Sequence, residues 1–428
     1  MNKVVSFWEA FRFWLKLGFI GFGGPAGQIS IMHNELVENK KWIRDSNFMH
    51  ALNYCMVFPG PEAQRLAVYL GWLLHGTKGG VAAGICFILP SMVIMTILTW
   101  LYITYGNVKI VSAVLYGIKP AIIAVVAFAV LKIGQKALKN SFSVLLALAA
   151  FSGLYFLKLP FPLIILAAGI VGFIISYVKP DLYAPTCVSD KSCNVPGQGQ
   201  TIKDSHFIKG TIMRLVMAFF FWIAPLIGLL AWFKFDLENI FVTIGILFTK
   251  VALLSFGGAY AMLPYVAQNA IELYGWITPQ QMIDSLAIGE LAPGPLIKIV
   301  AFVGFLGVWQ NTEFGLTGAV IGGFLATYYV FLPSFFIVLV GAPINEATRG
   351  VAKLSAALSS ITAAIVGVIL SITVYFISQV IFTGPAKIDV FALLIASAAF
   401  LGLWKLKLNI VYIIITSGLA GMIYKMLL

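Results

Sequence analysis

One chain carries the same helix-breaking motifs twice, in the same order. Pro59-Gly60-Pro61 recurs as Pro293-Gly294-Pro295. At the same spacing Phe22-Gly23-Gly24 recurs as Phe256-Gly257-Gly258, Lys16 as Lys250, Glu38 as Glu272, and Trp42-Ile43 as Trp276-Ile277. The register shifts in a loop and resumes, so that Gly79-Gly80 matches Gly322-Gly323 and Leu89-Pro90-Ser91 matches Leu332-Pro333-Ser334. Rare residues that keep order and spacing mean a duplicated unit, and that sets the architecture before any single element is assigned.

The breaks fall inside apolar runs. Proline removes an N–H and clashes with the preceding turn, so a Pro-Gly-Pro cannot continue a helix. The surroundings are those of a bilayer: of 428 residues 61% are hydrophobic and 10% charged, where a soluble domain carries roughly a quarter charged residues. The runs are helix-length rather than short and alternating, which excludes a β-barrel. Lipid does not tolerate bare backbone, so each break is expected to be buried in protein or to line a wet cavity. The net charge of +12 reflects few acids. Loop bias and contact with membrane lipid account for it without nucleic acid, and an anionic solute is the sharper reading.

Along the chain, a helix over Val4–Gly24 ends at the first Gly-Gly-Pro, and an amphipathic piece follows to about Asn39. Short helices are expected over 46–58 and 61–75, as one broken span or a re-entrant hairpin. Longer spans are expected over 80–103, 110–131, 142–157, 161–178 and 211–233, with matching elements in the second half. The division is an N-terminal repeat over 1–178, a polar linker with one connecting span over 179–239, and a C-terminal repeat over 240–428. The fold class is therefore an all-α polytopic membrane protein of two homologous six-element repeats. If each broken element crosses once, the repeats are inverted, the arrangement in which transporters place a site at the repeat interface. Re-entrant hairpins would make them parallel. Counting Lys and Arg by loop puts the N-terminus and the 179–209 linker inside, against the Lys40, Lys41 and Arg44 cluster.

The cysteines carry no chemistry: Cys55 and Cys86 lie in apolar runs, and Cys187 and Cys193 in the linker make a poor metal signature. Nor does the N-terminus read as a cleaved signal, since Arg12 and Lys16 interrupt its apolar run. The enzyme motifs for phosphate loops, zinc hydrolysis and nucleophilic serine are missing, so neither an enzyme nor a resident cofactor or metal is expected.

What remains is the chemistry of a helix start, whose free N–H groups and positive dipole end favour an anion. Gly23, Gly24, Gly257 and Gly258 let a ligand approach the backbone, as do Gly60 and Gly294. Arg65 and Lys298 stand just after the two Pro-Gly-Pro motifs. Glu62 and Arg65, three apart, can pair on one helix face and cancel, which makes the second break the better site. Lys298 is otherwise free to pair with Glu290 or Asp284. Lys16 and Lys250 recur at matching positions within apolar helices, facing either a cavity or, by snorkelling, the interface. For proton coupling, Glu290 is the first carboxylate, with Asp284 and Glu62 behind it.

Gly21-Phe22-Gly23-Gly24-Pro25, the run His33-Asn34-Glu35-Leu36-Val37, Pro59-Gly60-Pro61-Glu62-Ala63, Leu66 through Trp72, and Pro293-Gly294-Pro295 together resemble the chromate ion transporter family in its long, two-halved form. Arg65 and Lys298 depart from its expected pattern by adding cations beside the breaks. The resemblance implies a multi-pass protein of the prokaryotic inner membrane that moves chromate outward by secondary transport, with sulfate as the analogue. A homodimer is compatible with it. The alternative is a proton-coupled exporter of an organic or cationic solute, with Glu290 and Asp284 as the binding charge; an embedded enzyme or scaffold is the remaining one.

Overall fold

The computed structural model describes residues 5–22, 24–178, 205–256, 259–347, 354–384 and 387–427. Gly23, Gly257, Gly258, Cys187 and Cys193, all named above, lie outside them. Helix dominates. The first half contains α1 (Phe7–Ile20), α2 (Gly24–His33) running into a π-helical turn at Asn34–Asn39, α3 (Asp45–Val57), α4 (Glu62–Tyr105), α5 (Lys109–Ala137), α6 (Ser141–Tyr155) and α7 (Phe161–Val178). A connecting helix α8 (Ser205–Trp232) leads to the second half.

That half repeats the plan with α9 (Ile240–Leu254), α10 (Ala259–Ala267) with its π turn at Gln268–Leu273, and α11 (Pro279–Leu291). A 3-10 turn at Leu296–Lys298 opens α12 (Ile299–Asn311), and α13 (Gly315–Ala347), α14 (Leu354–Val380), α15 (Val390–Trp404) and α16 (Ile410–Leu427) follow. Among the described residues, six helices are long and apolar enough to cross a membrane. The departure from an all-helical chain is a short antiparallel ribbon, Phe382–Gly384 against Lys387–Ile388.

Local chemistry explains where elements begin and end. Asn140, Asn239 and Asp389 accept from the first-turn amides of α6, α9 and α15, and Thr278 and Gln281 form a reciprocal capping box on α11. Within α4, His75 and Gly76 leave helical geometry, Gly76 with φ of +61°, so the first arm of α4 ends where the sequence places it. The π turns repeat bond for bond. Lys40 N–H donates to Glu35 and Tyr274 N–H to Asn269, each at 2.9 Å, and Trp42 and Trp276 close to Leu36 and Ala270.

The halves exchange packing partners. Helix α5 of the first half packs against α15 and α16 of the second, while α14 of the second packs against α6 and α7 of the first. One large apolar core runs through both halves, from Ile88 to Ile414. A smaller one gathers α1 and the first arm of α4 against Val338, Leu339 and Ala342 of α13. Neither repeat closes a core of its own, so their junction is the interior of the molecule.

Candidate functional site

Helix α1 stops at Ile20 because the backbone turns back on itself. Gly21 sits at φ −73°, ψ 63°, and Phe22 N–H donates to Ile20 O at 2.8 Å, an inverse γ-turn. Its counterpart ends α9: Ser255 sits at φ −80°, ψ 66°, and Phe256 N–H donates to Leu254 O at 2.9 Å. Such a turn leaves the carbonyl of its central residue pointing outward without a helical partner.

Those two carbonyls are taken by the opposite repeat. Gly60 N–H donates to Ser255 O at 2.7 Å, and Gly294 N–H donates to Gly21 O at 3.0 Å. Both glycines have positive φ, +111° and +95°, which favours glycine over residues with a side chain. Space demands the same. A Cβ on Gly60 would stand 2.6 Å from Ser334 Oγ, and one on Gly294 would collide with the Ser91 side chain. Each Pro-Gly-Pro is thus wedged between the broken first helix and the Leu-Pro-Ser of the other half. Tyr54 of α3 adds a further tie across the halves, its hydroxyl donating to Ile337 O at 2.8 Å.

Arg65 and Lys298 reach this crossing but face the ends of the preceding helices. Arg65 donates to the carbonyls of Phe58, Pro59 and Gly60, the last at 2.8 Å. Lys298 Nζ donates to Ala292 O, Pro293 O and Gly294 O at 2.6, 2.9 and 3.1 Å. Phe58 and Ala292 are the C-caps of α3 and α11, and the other four carbonyls lie in the Pro-Gly-Pro turns just beyond, where a cation also meets the negative end of the helix dipole. The expected pairing of Arg65 with Glu62 therefore gives way: three carbonyls fixed by the Pro-Gly-Pro geometry outcompete one carboxylate a turn away. Lys298 is likewise committed to carbonyls rather than to Glu290 or Asp284. Glu290 instead accepts from Tyr260 OH at 2.6 Å.

The two crossings differ in what is left over. At the second, Lys298 is surrounded by acceptors, and Ser91 Oγ donates to Ile88 O at 2.8 Å. At the first, Ser255 Oγ and Ser334 Oγ are sealed from solvent and have no partner, and neither has Arg65 Nε. Gln64, on the first turn of α4, is buried with both amide atoms unpaired; Gln28 belongs to the second crossing, where it donates to Gly21 O at 2.9 Å and leaves its own oxygen, an acceptor, over. A buried polar group without a partner costs about 1–3 kcal/mol, so a group of them marks a place built for something else to bind. The sequence reading favoured the second break; the unspent donors sit at the first.

Gly24, with φ of +68°, opens α2 three residues after Gly21, on the side of the second crossing. Lys16 and Lys250 do not converge on the first crossing: both occupy exposed positions on α1 and α9. Glu62 starts α4 and is partly exposed. Ser255, Ser334, Gln28 and Gln64 were not singled out by sequence. A signal existed for Ser334, whose Leu-Pro-Ser is one of the duplicated motifs, and Gln64 adjoins the cation that drew attention away from it.

A family model described as chromate transporter matches residues 8–173 and 242–422, one stretch in each half. The chain is 31% identical over 426 residues to a chromate transport protein of Pseudomonas aeruginosa, covering 97% of this chain and 92% of that one. It is 27% identical to a probable chromate transport protein of Synechococcus elongatus over 99% of this chain and 97% of that one. It is also 26% identical to an uncharacterized transporter of Methanocaldococcus jannaschii over 96% and 92%. No solved structure matches significantly. A match to both halves, full-length relatives among transporters and a core of apolar helices lead to one conclusion. The chain is a multi-pass protein of the prokaryotic inner membrane, a transporter and not an enzyme, and it belongs to the chromate transporter family.

Proposed function

We propose that the chain is a secondary transporter of tetrahedral oxyanions, chromate with sulfate as its analogue, which bind where the broken helices of the two repeats cross. The observation that carries this reading is the reciprocal docking of Gly60 on Ser255 and Gly294 on Gly21, with unpartnered donors gathered at the first of the two contacts. Hydroxyls of Ser255 and Ser334, the amide of Gln64 and Arg65 Nε would hold the anion. The glycine pairs at 23–24 and 257–258 would supply backbone amides, and Arg65 keeps the carbonyls of the first Pro-Gly-Pro from repelling it. The relatives' names supply the substrate class.

The unit that moves is the repeat, residues 1–178 against 240–428, with 179–239 as connection. We take the two as inverted: with each broken element crossing once, and with one unpaired helix, α8, between the repeats among the described residues, an odd number of crossings separates matching points. The crossing is closed in this conformation, its free donors sealed from solvent. Transport then requires the repeats to part on one side at a time, breaking Gly60–Ser255 or Gly294–Gly21 without breaking a helix.

Chromate accumulation by cells with and without the protein tests the substrate, and labelled sulfate flux into proteoliposomes tests the mechanism. Lower accumulation and saturable flux are expected; equal accumulation together with no flux contradicts the proposal.

A further inference from the structure

Away from the crossing, a cavity of about 780 Å³ opens between α4 and α5 of the first half and α11 and α12 of the second. Its lining carries three lysines, Lys109, Lys119 and Lys425, against one carboxylate, Asp284. Asp389 lies behind the wall, where it accepts from Tyr116 OH at 2.6 Å, and Lys425 Nζ stands 4.6 Å from the centre of the Tyr116 ring. Lys109 and Lys425 are exposed at the mouth.

The floor is different. Asp284 is 2% exposed, and one of its oxygens takes both of its partners, Tyr102 OH at 2.9 Å and Lys119 Nζ at 3.3 Å. The other oxygen is buried without a partner. Lys119 stands ten residues into α5, about 15 Å along the helix. Its neighbours on α5 are apolar, so Asp284 is the charge that holds it.

A mid-span lysine is retained where it meets a partner or a wet cavity, and this one has both. The pair is loose, and 23% of the Lys119 side chain is exposed. A tetrahedral dianion in the cavity would offer Lys119 twice the charge of a carboxylate at similar distance. Asp284 also lies on α11, seven residues before that helix ends at Leu291, about 10 Å along the helix, and the Pro-Gly-Pro of the second half follows.

We propose that this cavity is a loading site for a tetrahedral dianion, in which Lys119 leaves Asp284 for the anion when the site fills and returns when it empties. Asp284 holds the lysine in place while the cavity is empty and makes the captured anion releasable. The proposal rests on the oxyanion reading above and adds to it a second station, with Lys119 as its ligand and Asp284 as the competitor.

Initial rates of chromate and sulfate flux by the full chain in proteoliposomes, against substrate concentration, decide it. Neutralising the pair together as K119Q/D284N avoids stranding a buried charge and is expected to raise KM at least tenfold, while K119R stays within about threefold of the unmodified chain. D284N alone frees Lys119, and KM is expected to fall while kcat falls with it, because release slows. A K119Q/D284N variant with unchanged KM overturns the proposal, as does a D284N variant whose KM rises as far as that of the double variant, the mark of a purely structural pair. Absence of flux by the unmodified chain counts instead against oxyanion transport itself.

Discussion

Gly60 donates its N–H to the carbonyl of Ser255 at 2.7 Å, and its matching glycine in the other half, Gly294, does the same to the residue matching Ser255, Gly21, at 3.0 Å. A bond and its mirror across a duplicated chain are a consequence of pseudo-two-fold assembly. Two interruptions that would be liabilities in lipid satisfy each other, each supplying the partner the other lacks.

Substituting either glycine strains this arrangement at two levels. Gly60→Ala places a Cβ against Ser334 Oγ at a φ of +111°. The backbone term alone is about 1–2 kcal/mol. G60A is expected to lower the unfolding midpoint in detergent and to abolish flux. Adding S334A removes the clash but not the strain, so G60A/S334A should recover only part of the midpoint. Full recovery would mean that the clash alone mattered.

Arg65 and Lys298 act as caps on helix ends, which separates two outcomes. Replacing Lys298 by Met leaves the carbonyls of Ala292, Pro293 and Gly294 without their donor. Each buried acceptor left unpaired costs about 1–3 kcal/mol. K298M should therefore reduce folded yield and unfolding temperature strongly, with KM of the surviving protein nearly unchanged. A raised KM at normal stability would make Lys298 a direct anion ligand.

Ser255 and Ser334 are expected to behave the other way. Their hydroxyls have no partner in this conformation, so S255A and S334A remove unsatisfied groups and should leave stability unchanged or slightly higher. Loss of a hydrogen bond to a charged ligand is worth about 1.5–3 kcal/mol, so KM for chromate should rise roughly tenfold to a hundredfold. Unfolding midpoint and KM measured on the same preparations check both halves of this expectation.

Much of this was legible in the sequence, for local reasons. Proline, glycine and apolar run length act within a few residues, so helix ends at Val57, His75 and Leu291 fall where the motifs put them, and the repeat follows from spacing alone. What was not legible is non-local. Nothing in the chain order says that Gly60 meets Ser255 of the other half rather than Gly24 of its own. The three-residue spacing of Glu62 and Arg65 pointed to an ion pair, because the carbonyls that win Arg65 have no side-chain signature. Lys119 had a signal, a lysine amid an apolar span, but it lacks a duplicate, and duplication guided the choice towards Lys16 and Lys250.

Glu290 separates the anion reading from export of a cationic solute. It accepts from Tyr260 OH at 2.6 Å and makes no bond to Lys298. If Glu290 only couples transport to protons, E290Q keeps anion exchange while losing gradient-driven flux. A cation exporter would lose binding altogether, and counterflow of labelled sulfate in proteoliposomes distinguishes the two.

The most direct test is to locate the anion. Selenate is a tetrahedral dianion with an anomalous scatterer at its centre, and a structure of the full chain solved in its presence should show a selenium peak within hydrogen-bonding reach of Ser255 Oγ, Ser334 Oγ and Gln64. A fully occupied peak outside both the crossing and the Lys119 cavity, with these side chains still unpartnered and the Gly60–Ser255 contact still shut, would contradict a binding site at the crossing of the broken helices.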